Sequence, residues 1–287
     1  MSIKRRTRIW TTVGTAALIG SLAGCSQPVD EAASPEESQS DMAMHDEAAP
    51  AGFVEGEGEG EGEGEGAAGG GEFGIDPSAA EDDPVVYLIA LEVMRAHYLA
   101  GIDAFRAGER TAGAEMFAHP ISEIYIDFEP ALEANGATLF GDVMTDASVA
   151  PYSGESDEAI QARVQDVLAA IDAASGHAPT NSMGQPQVHA QVLGDLIERA
   201  ALQYRVAAAG TTGGDAYLDG YGFTRAAEGY AQVHLEEIGS AMPAAAAAIV
   251  AIDALDAAYP TATEPDSLDT DPEALLALVS GYHSVAK

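Results

Sequence analysis

From Pro84 onward, apolar residues recur at intervals of three and four, beginning with Leu88, Leu91, Met94, Tyr98, Ile102 and Phe105. That spacing puts them on one stripe of a 3.6-residue helix and is incompatible with the strict alternation of a half-buried strand. Asp83-Pro84 supplies a cap and a first turn, and Gly108 a stop. The pattern returns over about 111–134, ending at Asn135-Gly136, and in "SDEAIQARVQDVLAAIDAASG", with Ser156 as cap and Gly176 after the end. It returns again over 186–209, 215–238 and an alanine-rich 243–259, then in a short stretch opened by Pro272. Runs of β-branched residues with period two are absent from Pro84 onward. The predicted fold class is all-α, a bundle of five to seven helices over residues 84–287, a length ample for one core.

What precedes the bundle has a different character. "MSIKRRTRIWTTVGTAALIGSLAGCSQ" opens with Lys4, Arg5, Arg6 and Arg8, then runs apolar for too few residues to span a bilayer, then turns to small residues. That is the anatomy of a secretory signal over 1–24. "LAGC", Leu22 to Cys25, resembles the lipobox of bacterial lipoproteins. The resemblance implies cleavage before Cys25, a diacylglycerol on its thiol and, with Ser26 rather than Asp following, sorting to the periplasmic face of the outer membrane. "RRTRIW" is also similar to a twin-arginine signal, the alternative being an ordinary basic leader. Cys25 is the only cysteine, so an intrachain disulfide and a multi-thiolate metal site are both excluded.

The chain carries 47 acidic against 12 basic residues, a formal net charge of −35. Residues 1–24 hold four of the Lys/Arg and no acid, so their removal takes the charge to −39. Such a field repels nucleic acid and anionic lipid surfaces, and leaves cations, basic proteins or a salt-adapted surface as its explanation. Residues 26–83 contain 18 of the acids and no Lys or Arg, around "VEGEGEGEGEGEGAAGGGEFG". With almost nothing to bury, this stretch is expected to be a disordered tether over 25–83, its ends on the order of 40 Å apart as a coil. Within it, Met42, Met44 and His45 set two thioethers beside an imidazole, a soft donor group suited to Cu(I). A chance collection of methionines in a tail reads the same way.

Inside the bundle, "MFAHPISEIYIDFEPAL", Met116 to Leu132, poses the sharpest question. Pro120 deletes a backbone donor and pushes its predecessor out of the helical region, so one helix is expected to end near Ala118 and another to start at Pro120 with His119 as cap. Glu123 is one turn on, with Asp127 on the same face. His97, in "RAHYLAG", lies beside the apolar stripe of the first helix. Histidines and carboxylates facing inward from adjacent helices are how bundles build metal sites, though no Glu-x-x-His pair occurs. "HLEE", with His234, Glu236 and Glu237, reads as an exposed charged helix end.

The stretch "AHYLAGIDAFRAGERTAGAEMFAHPISEIYIDFEPAL" resembles a segment of uncharacterised bacterial periplasmic helical proteins. "LQYRVAAAGTTGGDAYLDGYGFTRAAEGY", Leu202 to Tyr230, is similar to a second block, found also in periplasmic domains attached to iron permeases and, more loosely, in imelysin-like iron-uptake proteins. The two blocks cover about a quarter of the chain. The resemblance implies iron handling, a metal permease or other envelope protein as partner, and His97, His119, Glu123, Tyr217 and Asp219 as the matching positions. The Gly-x-His-x-x-Glu motif of imelysin-like proteins is missing, so no ligand set carries over. Tyr217, Asp219, Gly222 and Phe223 serve equally well as a helix-packing signature.

Gly-x-Ser-x-Gly, His-Glu-x-x-His and P-loop motifs do not occur, and the glycine spacing of the "GEGEGEG" run is no dinucleotide fingerprint, since it follows no strand pattern and its acids would repel phosphate. An enzyme is not expected. The sequence leaves two readings: an anchored helical domain that binds iron or copper as an accessory to uptake or homeostasis, or a non-metal interaction module of the envelope.

Overall fold

The computed structural model describes residues 75–210 and 215–287. The leader, Cys25, and the tract of Met42, Met44 and His45 lie outside the described residues. Among the described residues nine α-helices run in order: α1 (Pro84–Ala107), α2 (Arg110–Pro120), α3 (Ile126–Ala134), α4 (Gly141–Val149), α5 (Asp157–Ser175), α6 (Gln185–Ala209), α7 (Asp215–Ala241), α8 (Ala245–Ala258) and α9 (Pro272–Val285). No strand occurs among the described residues, and the fold is the all-α bundle that the periodicity predicts.

The local signals act as read. The Asp83 carboxylate accepts from the Val85 N–H at 2.8 Å, the Ser156 hydroxyl accepts from the Ala159 N–H at 3.3 Å, and Gly108 ends α1 at a φ of 100°, a left-handed value. By length and composition α1 could cross a bilayer, but 78% of its most apolar window is buried. It is the central helix, packed against α2, α5, α6 and α7. Each fully buried Leu or Phe on it is worth about 1.5–3 kcal/mol.

Three expectations are corrected. The packed unit starts before Pro84: Ile75 and Ala80 are buried, and a 3₁₀ turn over Pro77–Glu81 packs on α1 and α3. The stretch between α3 and α5, read as a connection, contains α4, which buries only Met144 and Ala147 and so carries too short an apolar period to register. The chain also does not break at His119-Pro120. Between α2 and α3 it stays helical through a π turn over Ile121–Tyr125, with the Ile126 N–H donating to the Ile121 carbonyl. The helical path continues through Pro120 into the wider turn, so His119 lies within the last turn of α2 rather than capping a new helix.

Two close approaches fix how the helices meet. A Cβ added to Gly113 of α2 would stand 2.6 Å from the Gly101 carbonyl oxygen of α1. One added to Gly222 of α7 would stand 2.5 Å from the Ala96 carbonyl oxygen. Only glycine lets the backbones come this near. The first contact is flanked by Tyr98 stacked on Phe117, ring centroids 5.8 Å apart.

Buried tyrosines tie the layers together. The hydroxyls of Tyr98, Tyr259 and Tyr282 donate to the carbonyls of Phe117, Ala200 and Ala190 at 3.2, 2.8 and 2.7 Å. Burial pushes all three phenols well above their ordinary range. Above a pH of about 10 the unfolded chain therefore releases protons that the folded chain keeps, and stability falls as pH rises. Alkaline titration should bring up the phenolate absorbance of the buried tyrosines in one cooperative step with the loss of helical circular dichroism. Full phenolate absorbance while helicity persists would contradict this packing.

Candidate metal centre

The two glycine approaches bracket one spot. His97 follows Ala96 on α1, where Gly222 draws α7 in, and His119 lies near the end of α2, which Gly113 holds against α1. One donor atom from each of His97, His119 and Glu123 lies within 4.8 Å of those of the other two. Asp219 of α7 brings a fourth group, its Oδ1 3.8 Å from His97 Nε2, while Glu123 Oε2 is 4.0 Å from the same nitrogen. Donors around one tetrahedral ion stand about 3.4 Å apart at bond lengths near 2.1 Å. Side-chain shifts of about 1 Å would close His97, His119 and Glu123 on an ion.

The orientation of His97 matches that role. Its Nδ1 is 2.9 Å from the Val93 carbonyl oxygen, which can only accept, so Nδ1 carries the hydrogen. In the neutral ring the lone pair then sits on Nε2, toward the two carboxylates. The His97 side chain is only 1% exposed, and the Phe223 ring meets it edge-on at 6.4 Å. His119 crosses it at 77° with centroids 6.3 Å apart. Gln203 of α6 reaches Asp219 Oδ2 at 3.4 Å, leaving Oδ1 on the His97 side. Glu123 is more exposed, at 36%, so the cluster opens to solvent on the π-turn side.

Two residues named from sequence fall elsewhere. Asp127 is exposed and borders a surface groove with Asp76, Pro77 and Ser78, because the wider π turn alters the register between it and Glu123. Tyr217 is two residues, about 200° of helix, from Asp219. It is buried, with its hydroxyl donating to the Thr261 carbonyl at 2.9 Å and its ring against Tyr259. Gly222 and Phe223 are packing residues, and their packing is what brings Asp219 to His97.

Sequence reasoning passed over a second group. His234 is half-buried and lies parallel to His189 of α6, centroids 3.8 Å apart, rather than standing on an exposed end as Glu236 and Glu237 do. Burial and the neighbouring His189 push the His234 pKa down to about 4, and burial lowers that of His189. The i, i+3 spacing of His234 and Glu237 was the available signal. Their partner on α6 was not legible from spacing.

Fold and site together define an all-α bundle bearing a histidine–carboxylate cluster where α1, α2 and α7 meet. No family model, curated protein or solved structure matches this chain.

Proposed function

We propose that this chain is an envelope lipoprotein, anchored through Cys25 to the periplasmic face of the outer membrane, whose helical domain binds a metal ion through His97, His119, Glu123 and Asp219. The observation that carries the reading is the grouping of His97, His119 and Glu123, whose donor atoms lie within 4.8 Å of one another, with Asp219 Oδ1 3.8 Å from His97 Nε2. A mixed nitrogen and oxygen set without sulfur favours iron(II) over copper(I). Any copper(I) role falls instead to the soft tract of Met42, Met44 and His45. The acidic surface would raise the local concentration of cations, consistent with an accessory to metal uptake or homeostasis that hands its ion to a permease. The rival interaction module would need one continuous apolar patch. Among the described residues the large exposed apolar side chains come from separate stretches of the chain: Ile126, Leu139, Val149 with Tyr152, Val233, and Ile249 with Val250.

Fractionation of iron-replete bacterial cells expressing the full chain tests both halves of the reading. Protein and iron should co-purify with the outer membrane. Cys25→Ala should move both to the soluble fraction, whereas His119→Ala with Glu123→Ala should leave the protein in the membrane with one iron fewer per chain. Iron undiminished in that double variant, or none bound by the wild type, would reject the metal reading.

A further inference from the structure

About 22 Å along α7 from Asp219, by the 1.5 Å rise over fifteen residues, the helix presents His234. Its ring is stacked 3.8 Å from that of His189 at an interplanar angle of 18°. Glu237, one turn on, places Oε2 3.9 Å from His189 Nε2. One donor atom from each of the three lies within 4.8 Å of those of the other two. We propose that His189, His234 and Glu237 form a second metal site, which takes a zinc-class divalent transition-metal ion through two imidazole nitrogens and one carboxylate.

The geometry supplies more than three donors. His189 Nδ1 is 2.7 Å from the Tyr230 hydroxyl oxygen. With a metal on Nε2, Nδ1 carries the hydrogen and donates it to that oxygen, the outer-shell arrangement that fixes ring orientation and tautomer in histidine metal sites. Tyr230 also packs on His234, centroids 4.4 Å apart; because a metal lies in the plane of each imidazole that binds it, His234 turns out of its stack on His189 when both take the ion. Both histidines line a pocket of 420 Å³ that Glu92, Arg95 and Tyr230 also border. Two imidazoles and one carboxylate leave a fourth position, as in catalytic zinc sites, and the pocket gives water or a small exogenous ligand access to it. The distance from His97 rules out a shared dinuclear centre, whose ions stand about 3.5–4 Å apart.

The test uses zinc(II) titration of the full chain against a chromophoric chelator, in the His119→Ala, Glu123→Ala background that lacks the first cluster. One zinc equivalent should remain in that background. Loss of even an outer-shell partner costs roughly 10–100-fold in affinity, so Glu237→Gln or His234→Gln should weaken the remaining site about tenfold or more. Glu237 is 45% exposed, so its replacement keeps the fold and decides the matter even where His234→Gln loses helicity. Zinc absent from the background, or held there undiminished after Glu237→Gln, would overturn the second site. Because the first cluster is already removed, its own failure to bind iron is a separate result.

Discussion

Gly222→Ala should destabilise the domain, whereas Gly229→Ala, seven residues along the same helix, should stabilise it. Alanine is favoured over glycine in a helix interior by about 1 kcal/mol. Gly229 is exposed with nothing within 4 Å of an added Cβ, so it collects that gain. At Gly222 the new methyl meets the Ala96 carbonyl oxygen at 2.5 Å and the Ala100 Cβ at 3.0 Å. These are backbone and short side-chain atoms of the central helix, which cannot turn aside. Overpacking against rigid backbone falls toward the upper end of about 1–3 kcal/mol, above the propensity gain that both variants share, so the two are separated by up to about 3 kcal/mol. For a domain of this size each kcal/mol shifts the melting temperature by roughly 2–4 °C. The Gly222 variant should also bind iron less well, since the same contact holds Asp219 beside His97. Equal melting temperatures in the two variants would mean that α1 and α7 are not held as described.

The second large effect is stabilisation by the ion itself. A ligand that binds only the folded chain, at a free concentration a thousand times its dissociation constant, adds about 4.1 kcal/mol. That corresponds to a rise in melting temperature of roughly 8–16 °C. The full chain should show this on adding iron(II) anaerobically, and a metal chelator should reverse it. In His119→Ala, Glu123→Ala the part of the rise due to the first cluster should vanish. A wild-type melting temperature indifferent to iron would leave His97 and its neighbours as a polar core network without a metal.

Much of the fold was legible because helices advertise themselves locally. The stripe from Leu88 to Phe105, the Asp83 and Ser156 caps and the Gly108 stop each follow from neighbours within four residues. Reasoning from neighbours failed where a local rule had two outcomes. Pro120 removes a hydrogen bond in either case, and whether the chain then breaks or widens into a π turn depends on how Ile124, Tyr125 and Phe128 are seated in the core. The candidate site was half legible for the same reason. His119 and Glu123 share one helical run and His97 lies on the next helix back, so periodicity could pair them. Asp219 lies about a hundred residues further on, and its approach is set by the Gly222 contact. Nothing in sequence spacing separates it from Tyr217, which points into the core. His189 and His234 were missed because their meeting is a property of how α6 packs on α7.

The most direct test of the metal reading is the number of iron(II) ions bound per chain at equilibrium by the purified full-length protein, compared with the His119→Ala, Glu123→Ala variant at equal helicity. The account predicts that the variant binds one equivalent fewer than the wild type. Equal stoichiometry in the two proteins would contradict it, and would reduce the convergence of His97, His119, Glu123 and Asp219 to a feature of packing.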